Sequence, residues 1–290
     1  NVVEQNVVTA CSLIIFEYFR IDPAVGQNFQ LSKARARFGC FQAVYIHRIF
    51  TAIKVVYKAD GVPCIHVQTN VGIIKQIAGE IVKVCPNAIY IIVANPVDIL
   101  TYAFLKFTGL PKSQVFGTGT VLDTIRLRTR LSEIYNVNKQ QVHANVLGEH
   151  GDTAFVPWSI ANISNVPVED YRDAVMKSHL YPEFNRDEVE DYVRKSGGRV
   201  IQRKGATFYA VSVSVCHLCK CLLNPIDTTL TVSTMLHGEY GIDDVCLSLL
   251  NIVGNKQVQG KIILPLNEQE IWSLNKSAES LKNVIKQIEI

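Results

Sequence analysis

An acid, a guanidinium and an imidazole stand where they could carry acid–base chemistry. Asp123 and Arg126 are three residues apart in a segment with helical periodicity, so they share one helix face, about 60° apart. His150 follows an apolar run and lies between Gly148 and Gly151. A solvated ion pair and a structural histidine are the alternative interpretation.

Arg128 and His143 are predicted to serve a different surface. Arg128 lies about 200° around the helix from Arg126, so the two guanidinium groups face apart. His143 precedes His150 by seven residues on one predicted strand. This odd offset places the two imidazoles on opposite faces, about 23 Å apart along the strand. The two histidines therefore do not belong to one site within a subunit.

A run of cysteines with one histidine suggests a metal site at first sight. It reads Cys216-His-Leu-Cys-Lys-Cys221 and lies in a mostly apolar, helical stretch over residues 211–223. Because a second pair of ligands is missing, buried structural thiols are favoured over a metal centre, and no metal is expected. The chain's eight cysteines are dispersed, which favours reduced thiols in the cytoplasm.

Apolar runs alternate with amphipathic stretches in the first half of the chain. The pattern predicts strands over residues 12–16, 53–57, 88–94 and 142–147, and helices over residues 71–84, 99–107 and 121–135. Residues 88–94 are apolar on both faces, as a strand covered by helices on both sides should be. The alternation predicts an α/β fold with a doubly wound parallel sheet.

The second half is less regular. A helix is expected from Asp187 into the 190s, extended stretches follow, and residues 267–290 form a strongly helical segment. We expect a dinucleotide-binding domain over residues 1–117 and an α+β substrate and catalytic domain over residues 118–290.

The composition excludes several classes of protein. The 290 residues are 48% hydrophobic and 19% charged, which argues against disorder and coiled coils. The longest apolar run, residues 88–94, is far shorter than the ~20 residues of a membrane span. A net charge of +3 is too mild to indicate nucleic-acid binding. With no signal-peptide pattern at the start of the sequence, a soluble cytoplasmic protein is expected.

Several segments resemble the lactate/malate dehydrogenase family, and its L-lactate dehydrogenases in particular. They read Asn95-Pro-Val-Asp-Ile-Leu-Thr-Tyr102, Gly117-Thr-Gly-Thr-Val-Leu-Asp-Thr-Ile-Arg126, Gly148-Glu-His-Gly-Asp-Thr153, Lys204-Gly-Ala-Thr-Phe-Tyr209 and Ser277-Ala-Glu-Ser-Leu-Lys282. The five segments occur in family order and near-family spacing, and the similarity runs from about residue 68 onward. The resemblance implies a Rossmann-type fold and NAD-dependent interconversion of pyruvate and L-lactate.

The resemblance also implies roles for the reacting groups. His150 matches the residue that exchanges a proton with the substrate's C2 oxygen, and Asp123 matches its catalytic partner, which orients the imidazole and stabilises its protonated form. Arg126 matches the residue that grips the substrate carboxylate. Asn95 matches a contact of both substrate and cofactor, and Thr207 matches a residue of the substrate pocket.

Further implied roles concern the cofactor and the assembly. Glu17 stands at the end of a predicted strand, where the family's acidic residue binds the ribose of NAD. Arg128 and His143 match an anion site at a subunit interface, which many bacterial members use for a sugar bisphosphate effector. Family members are usually homotetramers, so a homotetramer is expected.

The sequence departs from the family pattern at two places. The glycine-rich turn that approaches the pyrophosphate is not in the sequence. The segment from Lys58 to Thr69 is about seven residues shorter than the family's mobile loop and has no arginine to polarise the substrate carbonyl. These departures leave two alternatives open, namely a malate dehydrogenase-like 2-hydroxy acid dehydrogenase and a non-catalytic relative with a binding or structural role.

Overall fold

The computed structural model describes the backbone of residues 13–16 and 63–66 and both backbone and side chains of residues 67–175 and 181–290. Its α-helices are α1 (Pro63–Val84), α2 (Val97–Thr108), α3 (Val121–Tyr135), α4 (Tyr171–Ala174), α5 (Arg186–Arg194), α6 (Ser196–Lys204), α7 (Tyr209–Leu223) and α8 (Glu268–Ile285). The predicted strand over residues 53–57 lies outside the described residues.

The described strands form three sheets. The strands are β1 (Leu13–Phe16), β2 (Ile89–Ile92), β3 (Val115–Gly117), β4 (Val142–His143), β5 (Asn162–Ile163), β6 (Val166–Pro167), β7 (Thr228–Leu230), β8 (Ser233–His237), β9 (Asp243–Ser248), β10 (Asn251–Gly254) and β11 (Gln257–Lys261). The largest sheet has the order β1-β2-β3-β8-β9, and the two smaller ones have the orders β11-β10-β7 and β4-β5-β6.

A parallel pair of strands, β2 and β3, is connected by α2. The alternating pattern predicted β2, α2 and a parallel sheet, but it did not predict the short strand β3. Pairing of Ile92 with Gly117 brings the carboxyl ends of both strands to the same edge of the sheet. β8 and β9 extend this sheet with antiparallel pairing. β1 also pairs antiparallel with β2, which differs from the parallel order predicted for it, and the residues that follow β1 lie outside the described part.

Both faces of β2 are buried, as predicted. Tyr90 and Ile92 belong to one core with α1, α2 and α8, whereas Ile91 belongs to another with α7 and β10. The Tyr90 ring packs against Phe104 of α2, with 5.0 Å between the ring centroids. A third core lies between α3, α5 and the β4–β6 sheet. Apolar cores therefore pack on both faces of β2, up to the strand end at Ile92.

Three predicted elements begin or end at least four residues from their predicted positions. α1 begins at Pro63 rather than at residue 71, and proline is well tolerated in the first turn of a helix. The predicted strand over residues 142–147 is shorter, because the backbone of Ala144 and Val146 hydrogen-bonds to side chains of α3 instead of a neighbouring strand. The C-terminal helix α8 ends at Ile285, five residues before the end of the predicted segment.

The N-terminus of α8 is fixed by a capping box. The Asn267 side chain accepts from the Glu270 N–H, and the Glu270 carboxylate accepts from the Asn267 N–H. Glu270 also accepts from the backbone and hydroxyl of Ser159. Within the part of the chain that the structure describes, none of the helices is both long enough and apolar enough to cross a membrane.

Candidate active site

The central contact of the candidate site joins α3 to the loop that follows residue 147. His150 Nδ1 lies 2.6 Å from Asp123 Oδ2. A carboxylate only accepts hydrogen bonds, so the neutral imidazole carries its proton on Nδ1. The other ring nitrogen, Nε2, then has a free lone pair and no hydrogen-bond partner among the described residues. The His150 side chain is 26% exposed, which leaves Nε2 room for a substrate.

Arg126 completes the cluster on the same helix face. Its Nη1 donates to Asp123 Oδ1 at 3.0 Å, so the two oxygens of one carboxylate hold the guanidinium and the imidazole separately. The Arg126 side chain is 17% exposed. A guanidinium has five N–H donors, and only one of them is used by Asp123. The remaining donors are available to a bound carboxylate.

The protonation states follow from burial and from these pairs. Burial disfavours the charged forms of both partners, but their mutual attraction is stronger. It raises the pKa of His150 above its ordinary value of 6.5, with Asp123 contributing most and Asp98 adding to it. The attraction to His150 also lowers the pKa of Asp123, and the nearby charge of Arg126 lowers it further. The pair is therefore set up as a carboxylate beside an imidazole that readily accepts a proton.

The loop carrying His150 is fixed to α8. Gly148 has φ of +89°, and a Cβ there would lie 2.6 Å from Ser277 Oγ, so a side chain does not fit. The Ser277 hydroxyl donates to the Thr153 carbonyl oxygen at 2.8 Å. The Thr153 hydroxyl in turn donates to the Glu149 carboxylate. The closing turn of this loop thus depends on contacts with a distant part of the chain.

Sequence reasoning missed one acidic residue of the site, Asp98 in the first turn of α2. Its side chain is 3% exposed, and its Oδ2 accepts from the His150 backbone N–H at 2.8 Å. Its Oδ1 accepts from the Ser233 hydroxyl of β8. Its only sequence signal is that its immediate neighbours, Val97 and Ile99, are apolar, which does not distinguish it from an ordinary acid in the first turn of a helix.

Asn95 lies at the carboxyl end of β2, where it was expected, and it is exposed. Its carbonyl oxygen accepts from the Asn70 side chain of α1 at 3.0 Å. The neighbouring strand ends at Gly117, where a Cβ would lie 2.5 Å from Thr101 Oγ1 and 2.9 Å from Val97 Cγ2. Glycine at position 117 therefore allows β3 to pack closely against the start of α2. This helix begins two residues after Asn95.

Among the described residues, no hydrogen bond or ion pair of Thr207, Arg128 or His143 reaches this cluster. Thr207 is half-buried in the turn between α6 and α7. Arg128 faces away from Arg126, as the helix spacing predicted, and donates to the Ala144 carbonyl oxygen and to Asn145 Oδ1. His143 is exposed in β4, next to the residue that Arg128 contacts. Glu17 lies outside the described residues.

The cysteine run lies on α7, and the prediction that its thiols are buried is only partly right. Cys219 is buried, Cys221 is half-buried, and Cys216 is exposed. Among the residues that the structure describes, no group of three or more histidine, cysteine and acidic side chains is arranged to hold a metal ion.

Comparison with protein families finds two matches that together cover most of the described chain. Residues 66–117 match the NAD-binding domain of lactate/malate dehydrogenases. Residues 120–290 match the α/β C-terminal domain of the same family.

Individual relatives agree with these matches. The chain is 41% identical over 224 residues to an L-lactate dehydrogenase of Acetivibrio thermocellus, covering 77% of this chain and 70% of that protein. It is 43% identical over 224 residues to one from Thermoanaerobacterium saccharolyticum, covering 77% and 71%. Among solved structures, a minor L-lactate dehydrogenase of Enterococcus mundtii in a ligand-bound form superposes with a TM-score of 0.75 at 34% identity, covering 81% of this chain and 74% of that one. The α/β fold class predicted from the sequence is confirmed.

Proposed function

Because this chain belongs to the lactate/malate dehydrogenase family, we propose that it is an NAD-dependent L-lactate dehydrogenase, which interconverts pyruvate and L-lactate. The observation that carries this proposal is the Asp123 carboxylate, which holds the imidazole of His150 on one oxygen and the guanidinium of Arg126 on the other. This arrangement joins a proton donor to a carboxylate-binding group, and a 2-oxo acid requires both.

His150 is the proton donor in pyruvate reduction. The protonated imidazole donates from Nε2 to the C2 carbonyl oxygen as a hydride arrives at C2, and the neutral imidazole retains its Nδ1 proton, directed at Asp123. In the reverse direction, the neutral imidazole accepts the hydroxyl proton of lactate. The raised pKa of His150, due to Asp123, keeps the imidazolium available near neutral pH.

Arg126 binds the substrate carboxylate. Its free donors fit two parallel hydrogen bonds to the two carboxylate oxygens, which fixes the direction of C2 toward His150. Asn95 is exposed at the end of β2, and it is proposed to contact the substrate oxygen and the cofactor. Thr207 is proposed to line the pocket for the substrate's methyl group.

The residues at the end of β2 fit the nicotinamide part of NAD. β2 and β3 are parallel with adjacent carboxyl ends, and ligands of α/β sheets bind outside such ends. Asn95 is exposed there and, through α2, is linked to the His150 loop. When bound, NAD supplies or accepts the hydride exchanged with C2. Glu17 is proposed to hold its ribose.

The broader setting is proposed on the same family grounds. We place the boundary between the dinucleotide-binding domain and the catalytic domain at residues 117/118. A cytoplasmic homotetramer active in glycolysis and the fermentation of pyruvate to lactate is proposed. Arg128 and His143 are proposed as an anion site for a sugar bisphosphate.

The test is an assay of the purified protein with NADH and either pyruvate or oxaloacetate, followed by NADH absorbance. We expect oxidation of NADH with pyruvate and a lower kcat/KM with oxaloacetate. Faster turnover of oxaloacetate would identify a malate dehydrogenase-like enzyme instead. Absence of NADH oxidation with either acid would contradict a dehydrogenase function and favour the non-catalytic alternative.

A further inference from the structure

A buried carboxylate outside the Asp123 pair contacts the residue that carries the imidazole. Asp98 is 3% exposed and accepts the backbone N–H of His150 on one oxygen and the Ser233 hydroxyl on the other. Its carboxylate therefore joins three elements that are distant in sequence, namely α2, the His150 loop and β8. His150 is thus held at its ring by Asp123 and at its backbone by Asp98.

Asp98 affects the position of Asn95 relative to the His150 imidazole. Asp98 is three residues after Asn95, so the helix turn that fixes Asp98 also fixes the strand end that carries Asn95. The 2.8 Å hydrogen bond to the His150 N–H then sets the distance between that strand end and the imidazole. A shift of the loop by about 1 Å would misalign the proton donor with the substrate oxygen.

Asp98 also acts on the imidazole through its charge. A second carboxylate near an imidazolium favours the charged form, and Asp98 contributes to the raised pKa of His150. The other titratable and charged groups around the two residues are Glu149 and Asp152 on the loop, Asp123 and Arg126 on α3, and Cys246 on β9. Asp123 and, after it, Asp98 are the carboxylates that raise the pKa of His150.

The carboxylate form of Asp98 is unfavourable for stability at neutral pH. Burial raises the pKa of Asp98 to about 6, although its hydrogen bonds with Ser233 and His150 oppose this shift. The folded state thus binds the Asp98 proton more tightly than the unfolded chain, so stability decreases as the pH rises through the range from about 4 to 6. An isosteric amide at this position would avoid that loss.

We propose that Asp98 is a positioning residue for the reaction, which fixes the His150 loop against α2 and β8 and holds a second carboxylate next to His150. This inference rests on the proposed function for its kinetic consequences but not for its effect on the imidazole. Two substitutions separate the two contributions. Asp98→Asn keeps the shape, and its amide can accept from the His150 N–H and donate to Ser233 Oγ, so mainly the charge is removed. Asp98→Ala removes both the charge and the hydrogen bonds.

The matched control is Asp244→Asn. Asp244 binds Lys106 near the other end of α2 at 2.7 Å and also accepts from Tyr102, so this substitution removes a carboxylate that contacts the same helix far from His150. NMR titration of the His150 imidazole in the intact protein measures the effect on basicity without turnover. We expect Asp98→Asn to lower the titration midpoint by about half a pH unit and Asp244→Asn to leave it unchanged.

Kinetics and melting complete the test. For pyruvate reduction near pH 7.5, Asp98→Asn should lower kcat about tenfold with KM within about threefold, and Asp98→Ala should lower kcat further. The Tm of Asp98→Asn relative to the parent should be higher at pH 8 than at pH 5, because only the parent carries the buried charge at pH 8.

An unchanged His150 midpoint together with kcat within about twofold of the parent in Asp98→Asn would overturn the inference. An inactive parent with a shifted midpoint in Asp98→Asn would overturn the proposed function and support the effect of Asp98 on His150.

Discussion

Helix α3 carries three arginines, and two of them, Arg126 and Arg128, differ in the charge of the groups that they contact. Arg126 is paired with a carboxylate, Asp123, which also holds the imidazole of His150. Arg128 bonds only neutral acceptors among the described residues, the Ala144 carbonyl oxygen and Asn145 Oδ1. The first face of the helix is therefore nearly neutralised and rich in titratable groups, whereas the second keeps an uncompensated positive charge.

This difference separates chemistry from simple anion binding. A proton-transfer site needs an acid and a base of adjusted pKa, and on the first face the charges of Asp123, Arg126 and His150 provide them. The second face has an arginine whose pKa is lowered by burial, and an exposed histidine, His143, close by. A fixed cation of this kind can hold an anion, and among the described residues no carboxylate is paired with Arg128. Equivalent substitutions of the histidines and of the arginines on the two faces should therefore have different effects on turnover.

The largest effect is expected for His150→Asn. The amide can neither donate the proton to the substrate oxygen nor accept it, so kcat should fall by about 10²–10⁴-fold while NADH affinity stays near that of the parent. His143→Asn makes the same change on the other face and should leave kcat within about twofold. Steady-state kinetics and NADH fluorescence titration measure both. A His150→Asn protein that retains more than about a tenth of the parental kcat would rule out His150 as the proton donor.

Arg126→Lys should have the next largest effect. A point charge replaces a two-pronged donor, and the loss of one charged hydrogen bond should raise KM for pyruvate by about 10–100-fold with a smaller change in kcat. Arg128→Lys is the matched change two residues away and should leave KM for pyruvate near its parental value. Equal KM values for pyruvate in the two variants would contradict the proposal that Arg126, and not Arg128, binds the substrate carboxylate.

Asp123→Asn should shift the pH dependence of pyruvate reduction. The pKa of His150 is raised above 6.5 by the Asp123 carboxylate, so without that charge the imidazolium loses its proton at a lower pH. The alkaline limb of kcat/KM should therefore move down by about one pH unit, and kcat at neutral pH should fall about tenfold. Glu133→Gln, on an exposed part of α3 beside Arg130, is the control and should leave the limb in place. An unmoved limb in Asp123→Asn would show that another group sets the pKa.

The smallest effect on turnover is expected for the double variant Arg128→Gln/His143→Gln. Turnover in the absence of effector should stay within about threefold of the parent, because neither side chain contacts the reacting groups. Binding of a hexose bisphosphate, measured by isothermal titration calorimetry, should be lost if these residues form the anion site. A loss of turnover as large as that of His150→Asn would contradict the separation of the two faces. Unchanged bisphosphate binding would show that the anion site lies elsewhere.

Local spacing accounts for the parts of the site that the sequence predicted. Asp123 and Arg126 share a face, and Arg128 points elsewhere, because the α-helix fixes the angle between residues two and three apart. The strand over residues 89–92 and the helices α2 and α3 follow from runs of apolar side chains with the matching period. The identification of His150 as the partner of Asp123 came from the resemblance to a family, since no local rule relates residues 27 positions apart.

Tertiary structure decided the rest. The segment over residues 144–146 has the composition of a strand, but α3 side chains, Arg128 and Thr124 among them, take up its backbone groups, so the strand ends early. Asp98 reads as an ordinary acid in the first turn of a helix. Only the packing of α2 against β8 and the His150 loop buries it and gives its two oxygens their partners, Ser233 and the His150 backbone. The face that each helix presents depends on neighbours along the chain, so it could be predicted from the sequence. The distant groups that meet those faces depend on how the elements pack. Only this packing brings a second carboxylate, that of Asp98, into contact with His150.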